Sequence, residues 1–477
     1  MLGQIAAATL TTVVPESLLA NKETYHVHNM ATDHAIRIAS GRKITLRILM
    51  PQGSGDNLKP VIDAFQQATG ISITMVQTPV DDINTQLTLD SLSEEGDYDI
   101  ALPATFGLPD LVESNAIIPL TPYAEIYEPA GFRDNILYNI GDSFDGDLYG
   151  FQTDGDAYLM FYHRDLLENP EEQARYADEF GESLAVPLTW QQLDQQMAFF
   201  NRPESNLFGG LLFRNPGYLA WEWWVRFHAK GYWPLSETLE PQIASDAGVE
   251  ALEEMIRATE HLSPGVGNLG LFENWERYSR GDIYCNIGWG GSQKFLNSNK
   301  SKMQGRMLYG PTPGGYVDGE LLVTPYFNWG WNYVVTTGSH EPELAYLFAL
   351  FASSSKQSTS AVRQAGGYFD PIRLEHYNDP EIQRIYSREF LAVHEKSLKS
   401  AIPDLYLANQ GQYFRTLNQW LDRALSGTVN PETALKRAAQ QWRLITERSD
   451  TTLQQSRWIN LRDKYPSEVS SRLRDIV

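Results

Sequence analysis

The sequence predicts an α/β protein built as two lobes that meet at a hinge. Three observations carry this prediction. The chain has 477 residues, more than a single hydrophobic core usually serves. Near its start, alternating strand-like runs and helix-like periodicity interleave, the pattern of a parallel sheet. The stretch from Asp145 to Leu167, DGDLYGFQTDGDAYLMFYHRDLL, sets two strand-forming runs on either side of a short polar segment, as a crossing between lobes requires.

The elements follow in order. Leu2 to Val14 is apolar and small, and Pro15 with Leu18-Leu19-Ala20 resembles a signal cleavage region without its basic leader. Residues 1–43 therefore read as a truncated secretory signal, or an apolar tail, and a polar linker. His26 and His28 read as part of that solvated linker and not as metal ligands. Ile44 to Met50 is the first strand. Asp56 or Asn57 is placed to cap the next helix, with Pro60 in its first turn, an apolar face of Leu58, Val61, Ile62, Phe65 and Ala68, and a stop at Gly70. Ile71, Ile73 and Met75 alternate as a second strand. A helix carrying Ile83 and Leu87, a strand around Tyr98 to Leu102 and a short helix at Leu111-Val112 complete a βαβαβ run. Ligands gather at the carboxyl ends of strands in such a sheet, here Gln52 to Asp56 and Pro103 to Gly107.

Within the crossing, Asp154 and Asp156 stand two residues apart around Gly155, so in an extended chain both carboxylates face one side. They suit a solvated turn or a ligand pair. Thr189 is a helix N-cap, which makes Trp190 packed core. Pro216 to Trp233 is the densest aromatic block; Trp224 reads as core, while Tyr218 and Trp221 suit either core or ligand contact. Gly288, Gly290 and Gly291 flank Trp289 and would leave a face of its indole bare for stacking. Ser339 and Pro342 open a helix with a stripe of Leu344, Leu347, Phe348 and Phe351. Asn430 and Pro431 cap and open a late helix.

Composition narrows function. A formal charge of −22 argues against nucleic acid and anionic lipid as partners. One cysteine, Cys285, excludes an intramolecular disulfide, and no Cys/His spacing suggests a metal, so neither metal nor cofactor is expected. No apolar run reaches membrane-span length beyond the N-terminal stretch.

Several motifs together resemble the sugar-binding family of extracellular solute-binding proteins of ABC transporters. They are Leu148-Tyr149-Gly150-Phe151 followed by Phe161-Tyr162-His163-Arg164-Asp165-Leu166, Pro187-Leu188-Thr189-Trp190, Gly281 with Gly288-Trp289, Pro311 to Gly315, Trp329-Gly330-Trp331, and Leu425-Ser426-Gly427 with Asn430-Pro431. Gln152 and His163 stand where that family usually has Pro and Asn. The resemblance implies a two-lobed, periplasmic-binding-protein-like fold with a ligand cleft at a three-segment hinge. It divides the chain into lobe 1 (44–152 and 306–367) and lobe 2 (153–305 and 368–477), with Trp329 to Trp331 and Gly366 to Pro371 as the second and third crossings. Asp156 falls where the family places a sugar-binding carboxylate.

The expectation is a monomeric, non-enzymatic periplasmic protein that captures a neutral sugar, oligosaccharide or polyol and delivers it to a membrane permease. Its ligand candidates are Gln52, Ser54, Thr105, Phe106, Asp154, Asp156, Trp221, Trp289, Trp329 and Tyr368. The competing reading is a glycoside hydrolase using Asp154 and Asp156. Neighbouring positions on one side of a strand do not naturally straddle a glycosidic bond with catalytic separation, which disfavours it.

Overall fold

The computed structural model describes residues 26–93 and 96–476. In chain order its strands are β1 (Thr45–Pro51), β2 (Ser72–Thr78), β3 (Ile100–Ala101), β4 (Ser143–Phe144), β5 (Asp147–Leu148), β6 (Phe151–Gln152), β7 (Ala157–His163), β8 (Phe208–Leu211), β9 (Ile283–Gly288), β10 (Met307–Pro311), β11 (Gly315–Val317), β12 (Glu320–Leu322), β13 (Tyr326–Phe327) and β14 (Asn332–Val335). Two five-stranded sheets organise them. The first runs β2-β1-β3-β14-β6; the second runs β10-β7-β9-β8, with β13 also paired to β7. Strands β1, β2 and β3 are mutually parallel, whereas β14 lies antiparallel to both β3 and β6.

The chain passes between the sheets at three places. Strand β6 belongs to the first sheet and β7, five residues later, to the second. Strand β13 pairs with β7 and β14 with β3, so Asn328 to Trp331 carries the chain back. After two helices, Pro342–Ala352 and Ser355–Val362, the segment Tyr368 to Pro371 crosses again. The backbone N–H of Tyr368 donates to Asn57 Oδ1 of the first lobe at 2.9 Å, and the hydroxyl of Tyr386 beyond the crossing donates to Asp370 Oδ1 at 2.8 Å. Strand β7 is buried along its whole length, which explains its uninterrupted apolar and aromatic run.

Some boundaries differ from the sequence reading. Met307–Pro311 pairs with β7 in the second sheet, so residues from 306 to the second crossing do not join lobe 1. Their ladder partners lie on β7, and side-chain patterning alone cannot tell which sheet a short strand completes. Val27–Ala39, assigned to the polar linker, is a helix whose Val27, Ala31, Ala35 and Ala39 are buried. Arg42 beyond it forms an ion pair with Glu341 just ahead of the helix Pro342–Ala352, and the His34 ring meets Tyr127 edge-on at 4.8 Å. The signal reading of residues 1–25 lies outside the described residues. In the helix Gly55–Thr69, Pro60 is interior and neither Asp56 nor Asn57 is the cap. Asn57 faces inward, donating to the Ala361 carbonyl at 2.8 Å while accepting from Tyr368.

Among the described residues no helix is long and apolar enough to cross a membrane. Helix Leu219–His228 is buried at every position, and its charges are satisfied internally. Glu222 meets Arg214 at 2.5 Å and Arg226 at 2.9 Å, and Arg226 forks onto Asp194. The Arg226 guanidinium also lies 4.2 Å from the centre of the Trp190 ring, so that Trp is core, held by the capping box of Thr189 and Gln192.

Candidate functional site

The carboxyl ends of β1, β2 and β3 face the second lobe, and the loops there meet it directly. Phe106 follows β3, and its ring lies 6.3 Å from Trp221 and 5.9 Å from Trp329. Asp81 follows β2 and accepts a 3.1 Å hydrogen bond from the hydroxyl of Tyr218. Gln52 follows β1, and its carbonyl accepts from Tyr368 at 3.3 Å. Rings from both lobes and from the crossings thus close on one another.

At the centre stand three indoles. Trp221 and Trp289 have ring centres 5.9 Å apart at 88°, Trp289 and Trp329 5.6 Å apart at 87°, and Trp221 and Trp329 5.2 Å apart. Tyr158 and Phe213 flank Trp289 at 5.1 and 5.7 Å. The Trp289 indole N–H donates to Asn328 Oδ1 at 2.8 Å, joining the second lobe to the second crossing. Such edge-to-face contacts match the quadrupoles of the rings.

Beside the indoles lies an acidic cluster. Carboxylate oxygens of Asp154, Asp156 and Asp370 lie within 4.8 Å of one another, and all three residues are buried. Each comes from a crossing or ties one to another. Asp156 Oδ2 accepts from the backbone of Gly330 at 3.0 Å, and Asp154 Oδ1 from that of Asp370 at 2.7 Å. Asp370 accepts from the Tyr386 hydroxyl and from the backbone of Gly290, at the start of the helix Gly290–Leu296.

Burial pushes all three carboxyls up; for Asp154 and Asp156 the charge of neighbouring acids adds to it, whereas for Asp370 the Lys294 ammonium and its hydrogen bonds oppose it. Asp154 and Asp156 stand well above the ordinary range, and Asp370 is raised to about 6. Asp156 and Asp370 share a hydrogen bond, which requires a proton on one of them. Burial lowers the Lys294 ammonium to about 8; it acts on Asp370 and Asp154 through space, and its hydrogen bond goes to the Gln364 carbonyl at 3.1 Å.

Of the residues singled out from the sequence, Asp154 and Asp156 come together, as do Phe106, Trp221, Trp289 and Trp329. Tyr368 joins them through Trp331, 6.2 Å from ring centre to ring centre. Ser54 and Thr105 are buried with their hydroxyl hydrogens engaged inside the fold. Ser54 donates to the Pro51 carbonyl at 2.7 Å, and Thr105 to Asn332 Oδ1 at 2.6 Å. They can meet a ligand only as acceptors. The Gln52 side chain is exposed.

The role expected of the glycines around Trp289 is not the one observed, since that indole is only 3% exposed. A Cβ on Gly290 would fall 2.4 Å from the Asp370 carboxyl, and one on Gly291 would fall 2.9 Å from Tyr368 Cβ. The glycines let the third crossing approach the helix; they do not bare the ring. Residues missed in the sequence are Asp370, Lys294, Tyr386, Asn328, Tyr158 and Asp81. Asp370 alone carried a signal, as the one acid in the segment read as the third crossing.

Two α/β lobes joined by three crossings, with aromatic and acidic side chains gathered where they meet, define the architecture of a solute-binding protein with its site between the lobes. The family model described as bacterial extracellular solute-binding protein matches residues 61–385. The chain belongs to that family, whose description places its members outside the cytoplasm. Solved structures agree on the fold. Maltose-bound MalE3 of T. maritima shares 18% identity over 84% of this chain and 100% of its own, with a TM-score of 0.72. An ABC transporter solute-binding protein of Agrobacterium radiobacter K84 in complex with ribitol shares 18% over 84% and 98%, also at 0.72. One from Agrobacterium vitis S4 with bound D-mannitol shares 17% over 85% and 99%, at 0.69.

Proposed function

We propose that this chain is the periplasmic capture subunit of an ABC import system, taking a sugar or polyol into the cleft between its lobes and handing it unaltered to a membrane permease. One observation carries the reading. Buried polar atoms without a hydrogen-bond partner accompany the indole cluster and the crossings: Tyr158 Oη, Trp329 Nε1, Asn328 Nδ2 and Asp154 Oδ2. Orphaned buried donors and acceptors are rare and call for an explanation. A solute rich in hydroxyls supplies partners of both kinds, and its apolar ring or chain faces fit the indoles. The complexes with maltose, ribitol and mannitol in proteins of this fold favour the same chemistry.

The same geometry supports binding over catalysis. The three carboxyls lie together at the hinge, whereas glycosidases need an acid and a base or nucleophile on opposite sides of the scissile bond. The protein acts alone as a monomer, with the permease as its partner. The test is a thermal-shift screen against sugars and polyols, since a ligand that binds only the folded state raises its melting temperature. A saturable rise for at least one member is expected. No shift across the panel, or consumption of the hit on prolonged incubation, would refute the proposal.

A further inference from the structure

We propose that the captured solute carries a protonated amine, an amino sugar or amino polyol whose ammonium group replaces the proton shared by Asp156 and Asp370. This rests on the carbohydrate reading above and narrows it.

The argument begins with charge. The two aspartates of the first crossing disfavour an anionic solute, and the structure adds Asp370 as a third acid. Three buried carboxyls then face one ammonium, that of Lys294, which is directed to a backbone carbonyl. With all groups ionised the site would carry an excess of two negative charges, too costly to keep buried. Protonation avoids that cost. An ammonium group offers three donors and a full positive charge, so it can displace the shared proton and reach a carboxyl oxygen that lacks a partner, Asp154 Oδ2.

Asp156 is the point of entry, because it alone of the three keeps measurable exposure, 7% against 0% for Asp154 and Asp370.

A second observation comes from the neighbouring side chains. Asp156 is held by the backbone N–H of Gly330, the residue after Trp329, so the acids adjoin the indoles. Electron-rich faces of Trp attract cations. The unpartnered Trp329 Nε1, Asn328 Nδ2 and Tyr158 Oη await hydroxyl or ring oxygens. A solute with an amine at one end and hydroxyls along its length matches both halves; a neutral sugar matches one. The rim carries the same sign, for Asp81, bonded to Tyr218, feels the charge of Glu273 across the cleft.

Matched pairs test this: glucosamine with glucose, galactosamine with galactose, 1-amino-1-deoxysorbitol with sorbitol, and deacetylated chitobiose with cellobiose, each amine also N-acetylated. Full-length protein is screened by thermal shift, then titrated calorimetrically near about pH 7.5 in buffers of low and high ionisation enthalpy. At least one amine should bind about ten-fold or more tightly than its hydroxyl partner. It should release protons to the buffer, and acetylation should abolish the preference.

Asp156→Asn should bring the amine and its partner to similar affinity. If that variant fails to fold, the wild type decides: amine affinity should rise from about pH 5.5 to about pH 7.5 while that of the parent sugar stays flat. Neutral members binding as tightly as the amines would overturn the inference and leave the carbohydrate reading standing. Silence from both series would overturn both. A shift with CaCl2 or MgCl2 alone, and none with any amine, would reassign the acids to a metal ion.

Discussion

Replacing Trp289 by alanine tests whether one indole both braces the closed protein and contacts its solute. Its ring is 3% exposed and lies within 6 Å, centre to centre, of Tyr158, Phe213, Trp221 and Trp329. Its N–H is the partner of Asn328 Oδ1, and the amide nitrogen of Asn328 has none. Truncation therefore opens a cavity and strands a buried amide. Buried Trp or Phe to Ala costs about 3–5 kcal/mol, and an orphaned buried polar group adds about 1–3 kcal/mol. Rearrangement of the neighbouring rings should return part of this, so the loss should be about 3–5 kcal/mol. Urea denaturation followed by far-UV circular dichroism measures it. Affinity of the folded variant for the solute should fall by about 1–3 kcal/mol, the scale of an aromatic hot spot. A variant with wild-type stability would refute the bracing role, and one that binds normally would refute the contact.

Other perturbations address the hinge, the core and acid sensitivity. Gly155→Ala would place a Cβ 2.1 Å from the Pro371 carbonyl oxygen, forcing the first and third crossings apart. It should cost about 1–3 kcal/mol and enlarge the radius of gyration of the ligand-bound protein in small-angle scattering; an unchanged radius would contradict a tight hinge. Glu222→Ala leaves the buried Arg214 without its carboxylate partner and Arg226 without one of its own, though Arg226 keeps Asp194, and should lower stability by about 3–5 kcal/mol, read from the denaturation midpoint. Burial lowers His394 and His228 to about 4 and His376 to about 3. Between those values and the ordinary 6.5 the unfolded chain binds more protons. The contribution of each imidazole is therefore complete above about pH 6.5 and declines as pH falls toward 4. Asp370 and Asp404, raised to about 6 and about 7 by burial, act in the opposite sense, losing their contribution as pH rises through those values. His394, which donates to the Gly155 carbonyl at 2.7 Å, isolates one contribution: His394→Gln should flatten the acid limb of the stability profile, and an identical limb would exclude it.

Local chemistry made much of the fold legible. Asn430 accepts from Thr433 N at 2.8 Å as the cap that Asn-Pro implies. Gly70 ends its helix at a φ of 74°, a conformation glycine adopts at little cost. The βαβαβ run produced three parallel strands because its hydrophobic periodicity changed on schedule. What stayed hidden depends on distant pairing. The third crossing offered Asp370 as its one acid, but no local pattern pairs it with Asp154 and Asp156, since that contact joins the first crossing to the third. Asn57 looked like a cap because Asx residues commonly are, but Tyr368 and Ala361, far along the chain, claim its side chain. The glycines beside Trp289 show the same limit. Read as baring the indole, they instead admit a close approach, and the group that approaches Gly290, Asp370, was identifiable only once the chain was folded.

The most direct measurement is a calorimetric titration of the purified protein with the best member of the sugar and polyol panel, followed by chromatographic recovery of the ligand. The account predicts saturable binding of one solute per chain, with the solute recovered intact. Heat that never saturates, or a solute cleaved with turnover, would contradict it.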